Sequence, residues 1–222
     1  MSRMLQLWKV TMSNMGLKPN EGVCRMLLDF YGQPVRHYHN HDHIEYMLHS
    51  LANLMGREEI VAFEEVSLAI WFHDAIYWPG SPYNESMSSK VAAQCMLAMG
   101  VNKSPIARIC GMIMCPSACQ TIDTKVFYDL DFAILGETTE KYNHYARCIH
   151  DEYCSKPVST DGEKYIASRL KFLEWMLRLA ENKKLYNTVT FTDLYNDKAL
   201  ENMTRERDSW NKKESLNDPQ SD

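Results

Sequence analysis

Histidine and aspartate residues are concentrated at three places in the sequence. A histidine cluster spans residues 37–43, with His37, His39, His41 and His43 at alternate positions. The pair His73-Asp74 follows thirty residues after the cluster, and the triplet Asp129-Leu-Asp131 lies further along the chain. Imidazole and carboxylate groups are the ligands that suit Mg, Mn, Fe, Co, Ni or Zn ions. The sequence therefore offers candidate ligands for a divalent cation.

Asp74 lies inside the almost entirely apolar segment Ile70-Trp-Phe-His-Asp-Ala-Ile76. An ionised carboxylate buried in such a segment is strongly destabilising unless a positive group meets it. A metal ion shared with His73 would supply that charge, and so would a structural partner at a helix end. The residue types alone leave both interpretations open.

A helix through the histidine cluster would place His39 and His43 on one face and His37 and His41 on the opposite face. The face of His43 continues into an apolar stripe, which predicts that this face is buried. The stripe consists of Met47, Leu51 and Leu54. His43 is therefore the inward candidate with His39 next to it, and His39 is equally consistent with an ordinary surface or core histidine. For His37 and His41 a surface or core position is the favoured interpretation.

The elements that carry these residues are predicted to be helices. Apolar residues recur three and four positions apart, and alternating strand patterns are scarce, so we expect an all-α fold. The predicted helices cover residues 21–31, 42–55, 58–77, 91–99, 104–114, 124–135, 142–153 and 165–177. Ser104 is a predicted N-cap, and Gly56, Gly100 and Gly136 are predicted helix terminators.

Length and composition predict one folded domain. The chain has 222 residues, of which 45% are hydrophobic and 11% aromatic, enough for a sizeable core. No linker rich in Pro, Gly or Ser divides it, so we expect a single domain over residues 1–205. Residues 206–222 have few apolar side chains and are expected to form a disordered tail. The aromatic content also allows for a homo-oligomer interface.

Charge and cysteine usage limit the partners and the location. The net charge of −5 disfavours nucleic acid as an obligatory partner. No apolar run is long enough to span a membrane and no signal peptide is readable, so we expect a cytoplasmic protein. Seven cysteines without a paired C-x-x-C motif predict reduced thiols. Zinc on Cys110, Cys115 and Cys119 is a weaker alternative, because structural zinc prefers closely paired cysteines.

Four motifs together resemble the metal-dependent phosphohydrolases of the HD superfamily. They are Arg36-His-Tyr-His-Asn-x-x-His43-Ile, Trp71-Phe-His-Asp-Ala-Ile-Tyr77, Asn84-Glu-x-x-Ser88 and Asp129-Leu-Asp-x-x-x-Leu-Gly136. The likeness covers roughly residues 5–205. It implies a single all-helical HD-type domain with a metal site between core helices. In that site His43, His73, Asp74 and Asp131 would hold one divalent cation.

The resemblance also implies an activity, the hydrolysis of a small phosphorylated substrate such as a nucleotide. A water molecule activated by the metal would attack phosphorus, with Asp74 taking part in catalysis as a ligand. Arg36 is the candidate for neutralising phosphate charge. Glu85 is a candidate general base, or only an acid favoured at a helix N-terminus. The candidate substrate-binding residues are Arg36, His39, Asn84 and Arg169, although Arg169 is equally suited to pair with a nearby carboxylate.

The sequence departs from the family pattern at two places. Pro116 and Cys119 stand where such proteins usually carry Thr and His, and His150 stands where Arg is expected. The loss of the Thr and His side chains puts ordinary turnover in question. The alternative function is therefore a catalytically impaired HD scaffold that binds a nucleotide or a protein partner.

Overall fold

The computed structural model describes residues 3–114 and 121–217, and all regular secondary structure in these residues is helical. The prediction of an all-α fold is therefore confirmed for this part of the chain. The helices are α1 Arg3–Asn14, α2 Glu21–Tyr31, α3 His41–Asn53, α4 Phe63–Phe72, α5 Asn84–Ala98, α6 Lys103–Met114, α7 Ile122–Phe132, a short 3-10 helix Ala133–Gly136, α8 Thr139–Cys154, α9 Gly162–Glu181 and α10 Val189–Asn217. Among them, none combines the length and apolar content of a membrane span.

The chain divides into two compact units, whereas the sequence suggested one domain over residues 1–205. The first unit is Met1–Leu130, and the second begins at Asp131, near the end of α7. No composition change marks this boundary, because it falls inside a helix and not in a polar linker. The first unit carries the histidine cluster and the His73-Asp74 pair.

Helix α4 is the central element of the first unit. Its residues from Val66 to Phe72 are all buried, as the run of apolar side chains predicted. The Trp71 ring packs edge-on against Trp8 with centroids 5.3 Å apart, and its Nε1 donates to Thr11 Oγ1 at 3.1 Å. Burial on every side fixes the position of the α4 C-terminus, where His73 follows.

Helix α4 is shorter than the predicted span of residues 58–77. At its start, the Oδ1 atom of Asp123 in α7 accepts hydrogen bonds from the backbone N–H groups of Val61 and Ala62, at 2.8 and 3.2 Å. These N–H groups are thereby satisfied without a preceding helical turn. Apolar periodicity cannot reveal a cap supplied by a side chain sixty residues away.

The histidine cluster is not one continuous helix, which corrects the predicted placement of its first residues. Helix α3 begins at His41, and Asn40 caps it by accepting a hydrogen bond from Asp42 N at 2.9 Å. His37 and His39 precede the cap, so the helical spacing argument does not apply to them. His43 lies in the first turn of α3 and is buried, as predicted.

Most of the remaining predicted boundaries lie within four residues of those observed, but α5 begins seven residues before its predicted start, and α1 and α10 were not predicted. Helix α2 has the predicted bounds, and Gly56 and Gly100 follow α3 and α5 with φ of 80° and 81°, a backbone conformation that favours glycine. Ser104 is not the N-cap of α6, because the helix already begins at Lys103. The Ser104 hydroxyl instead accepts a hydrogen bond from Arg108 at 2.7 Å.

In the second unit, α10 packs on α9 and on the 3-10 helix. The Nδ2 atom of Asn202 donates to the carbonyls of Leu135 and Glu137 at 3.0 and 2.8 Å. Helix α10 continues to Asn217, past residue 206, where the sequence predicted the start of a disordered tail. Glu206 is held in place because its carboxylate pairs with the buried Arg169.

Candidate metal centre

Three of the four predicted metal ligands lie together at the junction of α3 and α4. Ligand atoms of His43, His73 and Asp74 all lie within 4.8 Å of one another. The Nε2 atoms of the two histidines are 3.2 Å apart, and His73 Nε2 is 3.1 Å from Asp74 Oδ2. Both histidines are buried, and 17% of the Asp74 side chain is exposed. Two imidazoles and a carboxylate thus form a partly accessible cluster.

The tautomer of His73 follows from its second ring nitrogen. His73 Nδ1 lies 2.9 Å from the carbonyl oxygen of Ile70, an atom that only accepts hydrogen bonds, so Nδ1 carries the proton. In the neutral ring, the Nε2 lone pair then points at His43 Nε2 and Asp74 Oδ2. Nitrogen and oxygen atoms at this separation need a hydrogen atom or a cation between them. A proton on a ring nitrogen or a metal ion meets this requirement, and a histidine anchored through its other nitrogen is typical of metal sites.

The surroundings of Asp74 favour its ionised form. Burial raises the pKa of this carboxyl, but the charge of His73 and its hydrogen bond lower it, with smaller contributions from His39 and His43. The net effect holds the pKa of Asp74 well below its usual range. With a proton on His73 Nε2, Asp74 therefore presents a carboxylate, and a metal ion in place of that proton would favour the same ionised form.

Side chains replace the helical hydrogen bonds where the chain leaves α4. The Tyr31 hydroxyl donates to the carbonyl of Trp71 at 3.3 Å and accepts from Asp74 N at 3.2 Å. Arg36 donates to the carbonyls of Asp74 and Ala75 at 2.6 and 3.0 Å. These contacts explain why α4 ends at Phe72 and not at Tyr77, and they fix the backbone of a candidate ligand.

Arg36 acts on the protein backbone in this structure. Besides Asp74 and Ala75, its N–H groups donate to the carbonyl of His39 and to Gln33 Oε1, each at 3.3 Å. The residue is only 5% exposed. At least four of its five N–H donors are thus used within the protein. The predicted contact of Arg36 with a substrate phosphate stays untested, while its structural role is evident.

The Asn84-Glu-x-x-Ser88 motif forms hydrogen bonds to the segment that follows His73 and Asp74. Asn84 receives a hydrogen bond from Trp78 N and donates to Trp78 O, at 3.0 and 2.9 Å. Ser88 Oγ accepts from Ile76 N and donates to Ile76 O, both at 3.0 Å. These contacts give Asn84 a structural role, and its contact with a substrate stays a prediction. Glu85 lies exposed in the first turn of α5, where the helix dipole favours an acid.

His39 lies beside the group of His43, His73 and Asp74 although it precedes α3. Its ring stacks on Tyr77 with centroids 4.0 Å apart, and its centroid is 5.9 Å from that of His43. The ring is partly exposed. This position is consistent with the predicted contact to substrate. His37 is exposed, and His41 bonds through Nε2 to the carbonyl of Leu28 at 2.7 Å, so neither belongs to the ligand group.

Two predicted site residues belong to the second unit. Asp131, the predicted fourth ligand, is the first residue of that unit, and its role as a ligand stays a prediction. Arg169 forms a bidentate pair with Glu206 at 2.9 and 3.0 Å and donates to the Tyr145 hydroxyl at 3.2 Å. Of the two roles considered for Arg169, the structure supports pairing with a carboxylate.

Other sequence features fall partly outside the described residues. Pro116 and Cys119 lie outside them, as does Cys115, so the zinc alternative is not tested. Each described cysteine is a free thiol. Burial raises the pKa of Cys24 to about 11, so this thiol is unreactive at neutral pH.

The sequence did not reveal the roles of Tyr31 and Ser88. Tyr31 is the last residue of α2 and continues its apolar stripe, so the sequence pattern is that of an ordinary core residue. In the structure Tyr31 is 1% exposed. Ser88 stands in one of the motifs but was given no role. A hydrogen bond to the backbone of a distant segment leaves no trace in periodicity, because only the fold brings the two together.

Comparisons with protein-family models, with curated proteins and with solved structures gave no match. The resemblance to the HD superfamily therefore depends on the four motifs alone.

Proposed function

We propose that this protein is a metal-dependent phosphohydrolase of the HD type that acts on a small phosphorylated substrate. The observation that supports the proposal best is the buried group of His43, His73 and Asp74, whose ligand atoms lie within 4.8 Å of one another. The protonated Nδ1 of His73 leaves Nε2 available as a ligand. Donors of this type fit a divalent cation such as Mn, Mg, Fe, Co, Ni or Zn.

A cation in this group would lower the pKa of a bound water and polarise a phosphoryl oxygen. The chain's own residues supply the positioning. Tyr31 and Arg36 hold the Asp74 backbone, which limits the carboxylate to a narrow range of orientations. His39, partly exposed beside His43, is the predicted contact for a phosphate oxygen. Hydrolysis would break the P–O bond and transfer the hydroxyl of water to phosphorus, leaving phosphate and an alcohol.

Metal analysis combined with a substrate screen tests the proposal. Purified protein would be titrated with Mn²⁺ and then assayed against nucleotides and simple phosphoesters. We expect His73→Ala and Asp74→Asn to weaken Mn²⁺ binding by about 100-fold or more and to abolish hydrolysis. His37→Ala removes an exposed imidazole of the histidine cluster that is not in the ligand group, and it serves as the matched control. Equal Mn²⁺ binding and turnover in His73→Ala and the unchanged protein would refute the assignment.

A second candidate function is a metal-binding scaffold without turnover. The observation that favours it is the use of Arg36 and Asn84, two predicted substrate contacts, for hydrogen bonds to the backbone. This candidate predicts that a nucleotide raises the melting temperature while no product forms. It also predicts that Pro116→Thr combined with Cys119→His yields hydrolysis that the unchanged protein lacks. Turnover by the unchanged protein would exclude this alternative.

A further inference from the structure

The second unit contains a groove that the metal centre does not use. It lies between α8 and α10 and has a volume of about 590 Å³. Its lining combines two arginines, Arg147 and Arg205, with Trp210 and the polar pair His150 and Asp151. A cavity of this size suits a small organic molecule.

One end of the groove is basic. Arg205 bonds only to amide oxygens there, those of Asn143 at 3.3 Å and Asn202 at 2.9 Å. Arg147 lies one helical turn after Asn143 and is exposed, and within the described residues it has no ion pair or hydrogen bond. Arg205 thus lies at the Asn143 end of the groove, Arg147 lies between Asn143 and His150 along α8, and neither guanidinium is bound to a carboxylate. A phosphate or carboxylate is the group they match best.

The other end of the groove is aromatic. The Tyr165 ring contacts both His150 and Trp210, with centroids 5.2 and 6.4 Å apart, so these two residues lie at the same end. His150 bonds to Asp151 at 3.1 Å. The Trp210 ring offers a stacking surface, and the polar pair offers hydrogen bonds to a ring edge. Along α8, the seven residues from Asn143 to His150 separate the two ends by about 10 Å.

The floor of the groove is electrically neutral. Glu206 is the acid at its base, and its carboxylate is bound by Arg169 and by the Tyr142 hydroxyl, the latter at 2.6 Å. Trp210 Nε1 also donates to Glu206, at 3.3 Å. Since Glu206 is compensated, the remaining charges of the lining are those of Arg147, Arg205 and Asp151. Outside the lining, Glu140 and Glu201 lie close enough to Arg205 for its charge to lower their pKa values. Within the lining, an anion meets two positive charges and one negative charge.

We propose that this groove binds a small organic anion in which a phosphate or carboxylate is joined to a planar ring. The anionic group binds Arg147 and Arg205, and the ring lies against Trp210 near His150. The groove shares no residue with the group of His43, His73 and Asp74, because all residues that line it belong to the second unit. The ligand proposed for it is distinct from the substrate of the proposed hydrolysis.

Calorimetric titration of the full chain in EDTA tests the proposal. The probes are AMP, which joins phosphate to a ring, nicotinate, which joins carboxylate to a ring, and the fragments adenosine and inorganic phosphate. We expect AMP to bind at least about tenfold more tightly than either fragment, because only the joined molecule is long enough to reach both ends, whereas nicotinate is too short to do so. Failure of all probes to bind at millimolar concentration would overturn the proposal.

Variants locate the binding. Arg147→Ala should weaken binding of the tighter probe about tenfold, the loss expected for a charged hydrogen bond. Arg178→Ala removes an exposed arginine of α9 outside the groove and should leave binding unchanged. Equal effects of the two variants would overturn the groove assignment. A loss in His73→Ala, with none in Arg147→Ala, would place the ligand at the metal centre and would also overturn it.

Discussion

At the candidate metal centre, the polar side chains fall into two groups with different tasks. The ligand atoms of His43, His73 and Asp74 face one another, whereas Tyr31 accepts a hydrogen bond from Asp74 N and Arg36 donates to the Asp74 carbonyl. The first group requires a proton or a metal ion between its members. The second group makes that arrangement rigid, because it satisfies backbone groups that lie beyond the end of α4.

Arg36 gives a test of the backbone-holding role. Lysine keeps the charge but cannot reach the carbonyls of His39, Asp74 and Ala75 at once, because it lacks the planar fork. We expect Arg36→Lys to lower the free energy of unfolding by about 2 kcal/mol. Urea denaturation measures this loss. Arg25→Lys, at an exposed arginine of α2, is the control and should have little effect. An Arg36→Lys variant as stable as the unchanged protein would contradict the role.

Glu206 gives a pH-dependent test in the second unit. Burial raises the pKa of this carboxyl, but the hydrogen bonds and the charge of Arg169 lower the pKa by more than burial raises it. The net shift of the pKa is therefore downward. Its unfolded pKa is about 4.3. A lowered folded pKa stabilises the fold above that value, and the contribution is lost as the pH falls through the folded pKa.

We therefore expect Glu206→Gln to lower the free energy of unfolding by about 3 kcal/mol at pH 7, because Arg169 is left buried without its partner charge. The difference from the unchanged protein should shrink as the pH falls below 4. Denaturation curves between pH 3 and 7 provide the measurement, with Glu201→Gln, an exposed acid of α10, as the control. A difference that is constant over this pH range would rule out the linkage.

The sequence predicted the residues that could bind a metal better than the residues that support them. His43, His73 and Asp74 were identifiable because polar groups inside an apolar helix pattern need an explanation. Tyr31 gave no such signal, since its apolar ring satisfies the pattern whatever its hydroxyl binds. Arg36 was identified, but its carbonyl partners depend on where the chain leaves α4.

At the level of the helices, periodicity found most elements but misjudged those whose ends are set from a distance. Helix α2 has its predicted bounds because its N-cap Asn20 is adjacent in sequence. Helix α4 is shorter than predicted because Asp123 binds the N–H groups before it and Arg36 binds the carbonyls after it. Long-range hydrogen bonds of this kind override local propensity.

The 3-10 helix that follows α7 has a packing requirement that predicts a strong mutational effect. A Cβ atom added to Gly136 would meet the Tyr195 backbone of α10, with the Tyr195 Cα only 2.8 Å away. We expect Gly136→Ala to destabilise the protein by about 2 kcal/mol through overpacking. A shift in the thermal midpoint measures it.

Gly162→Ala is the matched control for Gly136→Ala, because the first turn of α9 leaves open space around that glycine. Its effect should be neutral or slightly stabilising, as is usual for alanine in a helix. Similar losses for both variants would show that the approach of Tyr195 is not the cause.

For the molecule as a whole, the division at Asp131 separates the two proposed sites. The metal ligands His43, His73 and Asp74 lie in the first unit, and the α8–α10 groove lies in the second. Composition could not predict the division, since α7 continues across it without a turn signal. Asp131, the remaining predicted ligand, is the residue at which the second unit begins.

Hydrogen exchange with and without Mn²⁺ tests this organisation. Binding at 100 times the dissociation constant stabilises the bound form by about 2.7 kcal/mol, which slows exchange about 100-fold where opening disrupts the site. We expect this slowing in α3 and α4 and not in α9, and we expect none in the His73→Ala variant. Asp131→Asn distinguishes three ligands from four, because a true fourth ligand would weaken Mn²⁺ binding and reduce the protection. Equal slowing in α9 would show that the chain opens as one body and would contradict the division into two units.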